Sequence, residues 1–321
     1  MSVPLSALFG LLLWLWLAVG LASPYPPVSV KVQAVQLGPH SYYIPGLSGA
    51  ASPQNEGFMS NAGFVITPAG VVVFDSLGTP SLAQSMLAEI RKLTDAPIRR
   101  VIVSHFHADH YYGLQVFKDA GAEIWAHAYG RGATRTIAAR LRFEQRKEIL
   151  YPWVTQEQQR FVEADVWLSG DIDFELGGVR FQVRHVGPAH SPEDLALYVV
   201  DDGVLYAGDL VFKGRVPFVG EADSRLWLAA LDKLIALEPR VLVPGHGQVS
   251  MDPAADLTLT RDYLAYLRQE MGKAVAEMIP FEEAYLATDW SRYEFLPAFP
   301  EANRVNAYNT YILMEKESMG R

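Results

Sequence analysis

Positions 104 to 110 of the chain read Ser-His-Phe-His-Ala-Asp-His, which places three imidazoles and a carboxylate between His105 and His110. In an extended segment His105 and His107 project to the same side, and a turn after them can swing Asp109 and His110 toward a neighbouring point. No economical structural role explains such a cluster, whereas imidazoles and carboxylates are the groups that metal sites use. Of the eight histidines, five fall in three short segments. The other two segments are Gly187-Pro-Ala-His190-Ser-Pro192 and Pro244-Gly-His246-Gly247. Each of the three follows a run that reads as a strand.

Those strands are short and apolar. Arg99 to Ser104 runs straight into His105, Val179 to Val186 precedes the His190 segment, and Arg240 to Val243 leads into Pro244. Upstream, Val28 to Leu37 alternates apolar and polar residues as a half-buried strand does, with Ser41 to Ile44 as its hairpin partner. Phe58 to Thr67 and Val71 to Asp75 read as two strands joined by a Pro68-Ala-Gly70 turn. Further strands are expected at Glu123 to Ala126, Asp173 to Leu176, Leu195 to Val200 and Val204 to Ala207. Helical spacing marks Ser81 to Leu93, Leu114 to Ala120, Arg225 to Leu237, Pro253 to Met278 and Val305 to Glu317. Residues 129–160 form a mostly helical insertion that is basic from Arg131 to Lys147, and it reads as a solvated helix rather than a lid. Strands first, then strand and helix in alternation in each half, imply an α/β (α+β) protein with sheets packed between helix layers.

Composition narrows the partners. The 321 residues carry 27 Lys+Arg against 36 Asp+Glu, a net charge of −9, with no basic stripe interleaved with aromatics, so a nucleic-acid partner is not expected. The absence of cysteine excludes disulfides, thiolate ligands and a cysteine nucleophile. Leu5 to Ala22 is an almost unbroken apolar run ending in Gly20-Leu-Ala22, which reads as a signal peptide over residues 1–22, although its first residues lack Lys or Arg. The expectation is therefore a periplasmic or secreted protein without stable membrane anchoring after cleavage. The rival reading keeps the run as an anchor. A catalytic domain is expected over residues 23–250, with residues 251–321 as a helical part of the same domain.

The His105-x-His107-x-Asp109-His110 motif is the signature of the metallo-β-lactamase superfamily, which the chain resembles from about Phe58 to Gly247. Tyr206-Ala-Gly-Asp209 looks like the family's bridging-aspartate segment, and the His190 and His246 segments look like its later histidine loops. The resemblance implies the αβ/βα four-layer sandwich and two zinc ions per chain. His105, His107 and His190 would bind one metal, Asp109, His110 and His246 the other, and Asp209 would bridge them. The donor chemistry agrees, since imidazoles and carboxylates without thiolates suit zinc, and two ions about 3.5 to 4 Å apart can share one activated hydroxide. That hydroxide would attack an ester, lactone, thioester or amide, a β-lactam among them, with Asp109 orienting it and taking its proton. No G-x-S-x-G elbow supports a serine nucleophile instead.

Asp209 resembles the bridging aspartate of glyoxalase-II-like hydrolases rather than the cysteine of one large β-lactamase group. The Ser60-Asn61 strand, the His190-Ser-Pro-Glu-Asp194 loop and Gly214-Arg-Val-Pro-Phe218 resemble the SoxH-like exported branch. A competing expectation is a mononuclear iron dioxygenase acting on a persulfide-type sulfur compound, because such relatives use a similar His/His/Asp subset. Lys213 and Arg215 are candidate substrate-anion contacts, one residue displaced from where some family members place a lysine. His127 and His185 read as hydrogen-bonded structural residues. Tyr42, Tyr43, Tyr111, Tyr112 and Trp153 are aromatic candidates for a pocket wall or for the core.

Overall fold

A computed structural model describes residues 23–320 apart from 48 and 221, so the leader expected over residues 1–22 lies outside the described residues. The strands are β1 (Val35–Gln36), β2 (Ser41–Ile44), β3 (Ala62–Thr67), β4 (Gly70–Phe74), β5 (Ile98–Ile102), β6 (Glu123–His127), β7 (Val166–Leu168), β8 (Ile172–Leu176), β9 (Val179–His185), β10 (Leu195–Val199), β11 (Val204–Phe212) and β12 (Val241–His246). The helices are α1 (Pro80–Leu93), α2 (Ala108–Tyr111), α3 (Leu114–Asp119), α4 (Ile137–Ile149), α5 (Ser224–Ile235), α6 (Pro253–Ala276), α7 (Phe281–Ala287) and α8 (Phe299–Met319).

Among the described residues the strands form two sheets, β1 to β7 in sequence order and β12-β11-β10-β9-β8. The pairing from β4 through β7 is parallel, as is that of β11 with β12. Parallel strands are covered on both faces, and β4 is accordingly Gly-Val-Val-Val-Phe with every residue buried. Three apolar slabs separate four layers. Val65, Val72, Phe181 and Val243 pack between the sheets. Leu82, Met86, Ile90 and Phe117 pack α1 and α3 onto the outer face of the first sheet. Trp227, Leu231, Leu264, Leu267 and Ala307 join α5, α6 and α8 to the second. The architecture is thus the αβ/βα sandwich. No helix among the described residues is long and apolar enough to cross a membrane.

The helix starts follow capping chemistry. Thr79 accepts a hydrogen bond from Leu82 N at 3.1 Å with Pro80 opening α1, and Asp223 accepts from the Arg225 and Leu226 amides at the start of α5.

Four elements depart from the sequence expectation. The alternation from Val28 to Ala34 is real, with Val28, Val30, Val32 and Ala34 packed against the slab of Leu82 and Phe117 outside the first sheet, yet strand pairing is confined to Val35–Gln36. Alternation reports which side is buried, whereas a ladder also needs a neighbouring strand. Here the backbone is held instead by the Glu56 carboxylate, which accepts from Ser29 N at 3.0 and 2.9 Å. β11 runs past Ala207 through Asp209 to Phe212, wholly buried, and β7 and α7 are additional elements.

Phe181 is 1% exposed between the sheets and stacks on Phe174 at 4.8 Å. Phe181→Ala is expected to cost about 3–5 kcal/mol in urea unfolding, the usual range for deleting a buried ring.

Candidate metal centre

The candidate ligating side chains come from both sheets and meet at the end of the sandwich where β5, β11 and β12 finish. The chain leaves β5 into His105, and His107 then starts the one-turn helix α2 that carries Asp109 and His110. Asp209 lies inside β11 and His246 ends β12, while His190 sits in the β9–β10 loop. The side chains gather into two groups, His105, His107, His190 and Asp209 in one and Asp109, His110 and His246 in the other, with candidate ligand atoms within 4.8 Å of one another in each. All seven residues singled out in the sequence are therefore brought together.

Asp209 stands between the groups. Its Oδ1 lies 3.1 Å from His110 Nε2 and 3.2 Å from His246 Nε2, and its Oδ2 lies 3.5 Å from His190 Nε2 and 3.9 Å from His105 Nε2. Asp109 Oδ2 faces His246 Nε2 at 3.3 Å and His110 Nε2 at 3.5 Å. His190 Nε2 is 3.0 Å from His107 Nδ1, two ring nitrogens aimed at one point. Room for Asp209 depends on Gly245, where a Cβ would meet Oδ1 at 2.0 Å.

A second ring of contacts turns the imidazoles inward. Asp75 Oδ2 accepts from His110 Nδ1 at 2.8 Å and from Ser104 Oγ at 2.7 Å, and its Oδ1 accepts from Ser104 N at 2.7 Å. Ser104 Oγ in turn lies 2.9 Å from His105 Nδ1 and can accept its proton. His246 Nδ1 donates to Met59 O at 2.8 Å, and His190 Nδ1 donates to Phe218 O at 3.2 Å. With each Nδ1 so engaged, the Nε2 lone pairs of His105, His110, His190 and His246 face the centre. Asn61 grips the His246 turn, donating from Nδ2 to Pro244 O and Gly247 O at 2.8 Å each. Asp194 closes the His190 loop by accepting from Ser191 N at 2.6 Å and Ser191 Oγ at 2.7 Å.

Asp75, which holds His110 and Ser104 in place, is a residue of the candidate site that the sequence does not single out. It is 1% exposed and has φ +61°, a left-handed conformation that non-glycine residues seldom adopt. Its one sequence signal is an acid ending the apolar β4, which reads equally as the start of a turn.

The electrostatics suit cations. Buried His105 Nε2, His110 Nε2 and Asp209 Oδ1 lack an aligned hydrogen-bond partner, an arrangement that is costly unless a positive ion takes their lone pairs. Burial holds His105 and His190 below the ordinary imidazole value, and burial, His190 and the Arg142 charge push His107 down to about 3. Burial alone would also lower His110 and His246. The carboxylates of Asp209, Asp109 and Asp75 outweigh it for His110, which is raised well above the usual value, and Asp209 and Asp109 raise His246 to about 9. Burial would raise Asp109 and Asp209, but their histidine neighbours hold both below the usual carboxylate range.

Beside the centre opens a cleft of about 730 Å³ lined by His107, His190, Phe106, Tyr111, Tyr112 and Arg142 among others. Thr136, Ala139 and Arg142 of the insertion form part of its wall, so this segment is more than the solvated helix expected. Charge periodicity had marked its solvent face, not what lies behind it. Lys213 and Arg215 are absent from the lining, and Lys213 Nζ is directed to Asp256 at 3.3 Å and Val249 O at 3.2 Å. Tyr111 and Tyr112 line the cleft, whereas Tyr43 lies between the sheets, Tyr42 stacks on Phe64 and Trp153 donates to Pro27 O. His127 and His185 stack on each other with centroids 3.5 Å apart, outside both ligand groups.

Two outcomes follow. Asp75→Asn is expected to weaken metal binding about 10–100-fold, read by chelator competition. Metal ions take neutral imidazole, and in the metal-free chain His110 and His246 hold protons that must leave. His246 keeps its proton below its folded value near 9 and loses it above, so metal affinity should climb from pH 7 to 9. Calorimetry in buffers of different ionisation enthalpy should record net proton release, and no release would contradict this assignment.

Comparison with known proteins agrees with the geometry. Residues 55–246 match the family model of the metallo-beta-lactamase superfamily. A linear primary-alkylsulfatase of Pseudomonas sp. is 27% identical over 237 residues, covering 63% of this chain and 45% of the relative, so the chain spans about half that relative's length. A type 2 metallo-beta-lactamase of Elizabethkingia meningoseptica is 25% identical over 207 residues, covering 63% of this chain and 74% of the relative. The inverting sec-alkylsulfatase Pisa1 from Pseudomonas sp. shares the fold, with a TM-score of 0.69 and 17% identity over 87% of this chain and 50% of that structure. The family match contains every residue of the two converging groups, and the chain belongs to the metallo-beta-lactamase superfamily.

Proposed function

We propose that the chain is a dinuclear zinc hydrolase acting on an ester, lactone, thioester or amide bond, β-lactams included. The observation that carries this reading is Asp209, whose two oxygens each face a different set of imidazoles. His105, His107 and His190 would hold one ion and Asp109, His110 and His246 the second, with Asp209 between the two sets. When bound, such ions supply Lewis acidity to a substrate oxygen and to a water molecule. Asp109, kept ionised by its histidine neighbours, is placed to orient the attacking water and receive its proton. The Asp75, Ser104, Met59 and Phe218 contacts hold the imidazoles in a fixed orientation, which limits reorganisation during reaction. Phe106, Tyr111 and Phe218 give the cleft an apolar surface for the substrate body.

The alkylsulfatase relative supports a second reading, hydrolysis of a sulfate ester at the same centre. The mononuclear iron alternative has less support, because seven ligating groups in two sets exceed what one ion needs.

Protein purified without added metal is expected to carry about two zinc ions per chain, the complement of a two-metal site. One iron with oxygen uptake would overturn the reading. A panel of a cephalosporin, a lactone, a thioester, a phosphodiester and an alkyl sulfate would then separate the substrate classes. Asp109→Asn should lower kcat about 10²–10⁴-fold on whichever substrate is turned over. Unchanged turnover in Asp109→Asn or His110→Ala would exclude the two-metal mechanism.

A further inference from the structure

The hydrolytic centre makes no use of the basic stretch of the insertion. On α4, Arg142 is half-buried in the cleft wall, whose lining it shares with His107, Tyr111 and Tyr112. Its charge is felt by all three. Among the described residues Arg142 makes no ion pair, although nearby Lys147 pairs with Glu144 at 2.8 Å and Arg135 pairs with Glu163 at 2.8 Å. The acids of the same cleft are engaged elsewhere. Glu193 accepts from Phe106 N at 3.1 Å, and Asp223 caps α5. A partly desolvated guanidinium without a counter-ion gains most from an oxyanion that its planar fork can grip. Arg131, exposed and 5.4 Å over the Trp167 ring, adds a second positive charge to the lining. Phe106, Tyr129 and Phe218 supply ring faces around the same space.

We propose that Arg142 reads an anionic oxygen group, a carboxylate or a sulfate, on the substrate, while the aromatic rings hold its apolar body. The inference rests on the hydrolase reading and adds a substrate class to it: organic anions. In a chain of net charge −9, a local cationic wall is also what an anion needs to approach the cleft.

The test uses the zinc-loaded full chain with para-nitrophenyl acetate, the para-nitrophenyl monoester of adipic acid, para-nitrophenyl sulfate, and a trimethylammonium ester of similar length. Arg142→Ala should raise KM for the adipate monoester about 30-fold, against about threefold for the acetate, as expected for losing a charge-assisted contact. Arg142→Lys should recover part of the loss, and Arg142→Glu should turn the preference toward the cationic ester. A selective loss on the sulfate instead would support the proposal with sulfate as the group read. Equal losses on acetate and adipate monoester, or no change of preference on charge reversal, would overturn it. Should the unsubstituted enzyme turn over none of the probes, the ester and sulfate-ester forms of the hydrolase reading fail by themselves. Calorimetric binding of phenylbutanoate to the two proteins then decides the role of Arg142: weakened binding in Arg142→Ala supports it and equal binding removes it.

Discussion

A carboxylate buried among imidazoles is the constraint around which this molecule is arranged. Asp209 is 6% exposed, inside a strand whose nine residues are all buried, where a lone ionised carboxylate would be prohibitively costly. Positive charge must therefore be supplied on both of its sides. In the metal-free chain protonated His110 and His246 supply it on one side, and bound cations would do so on both. The parallel pairing of β11 with β12 follows the same requirement, since it places Gly245 against Asp209 and delivers His246 at the strand end.

The two ligand sets are also joined mechanically. Asp75 receives His110 directly and His105 through the Ser104 hydroxyl, so one carboxylate orients a member of each set. Its left-handed backbone is tolerated because Asp75 N also donates to Ile102 O at 3.0 Å and Ser76 N to His110 O at 2.8 Å, fixing the turn from both sides. A site that must hold charged groups close together thus relies on a strained residue held rigidly in place.

The parts of the site legible in the sequence were those whose residue types are chemically conspicuous. His105 to His110 form a cluster with no apolar or turn explanation, and β4, β5 and β9 announce themselves by apolar pattern. Asp75 was invisible because an acid after Phe74 looks like an ordinary strand end, and only the fold brings His110 against it. In the sequence β11 ends at Ala207, because a glycine and an acid break an apolar run, and compensation by four imidazoles is a long-range fact. Arg142 is hidden for the opposite reason: Arg135, Arg140 and Arg142 look alike in the sequence, and only packing distinguishes Arg142, in the cleft wall with Tyr111, from the exposed Arg135 and Arg140.

Helix α8 carries a consequence of a different kind. Asn306 accepts from Val219 N at 3.0 Å and donates to Pro217 O at 2.7 Å, and Asn309 donates to Gly220 O at 2.6 Å. These bonds seat the turn whose Phe218 carbonyl fixes His190, across a separation of 87 residues between Val219 and Asn306. The His246 and His110 supports, by contrast, are Met59 and Asp75, made early in the chain. One half of the centre is braced by contacts within the two sheets, while the other also needs α8 docked against the 217–220 turn. Loosening α8 would therefore release His190 while leaving the supports of His246 and His110 in place.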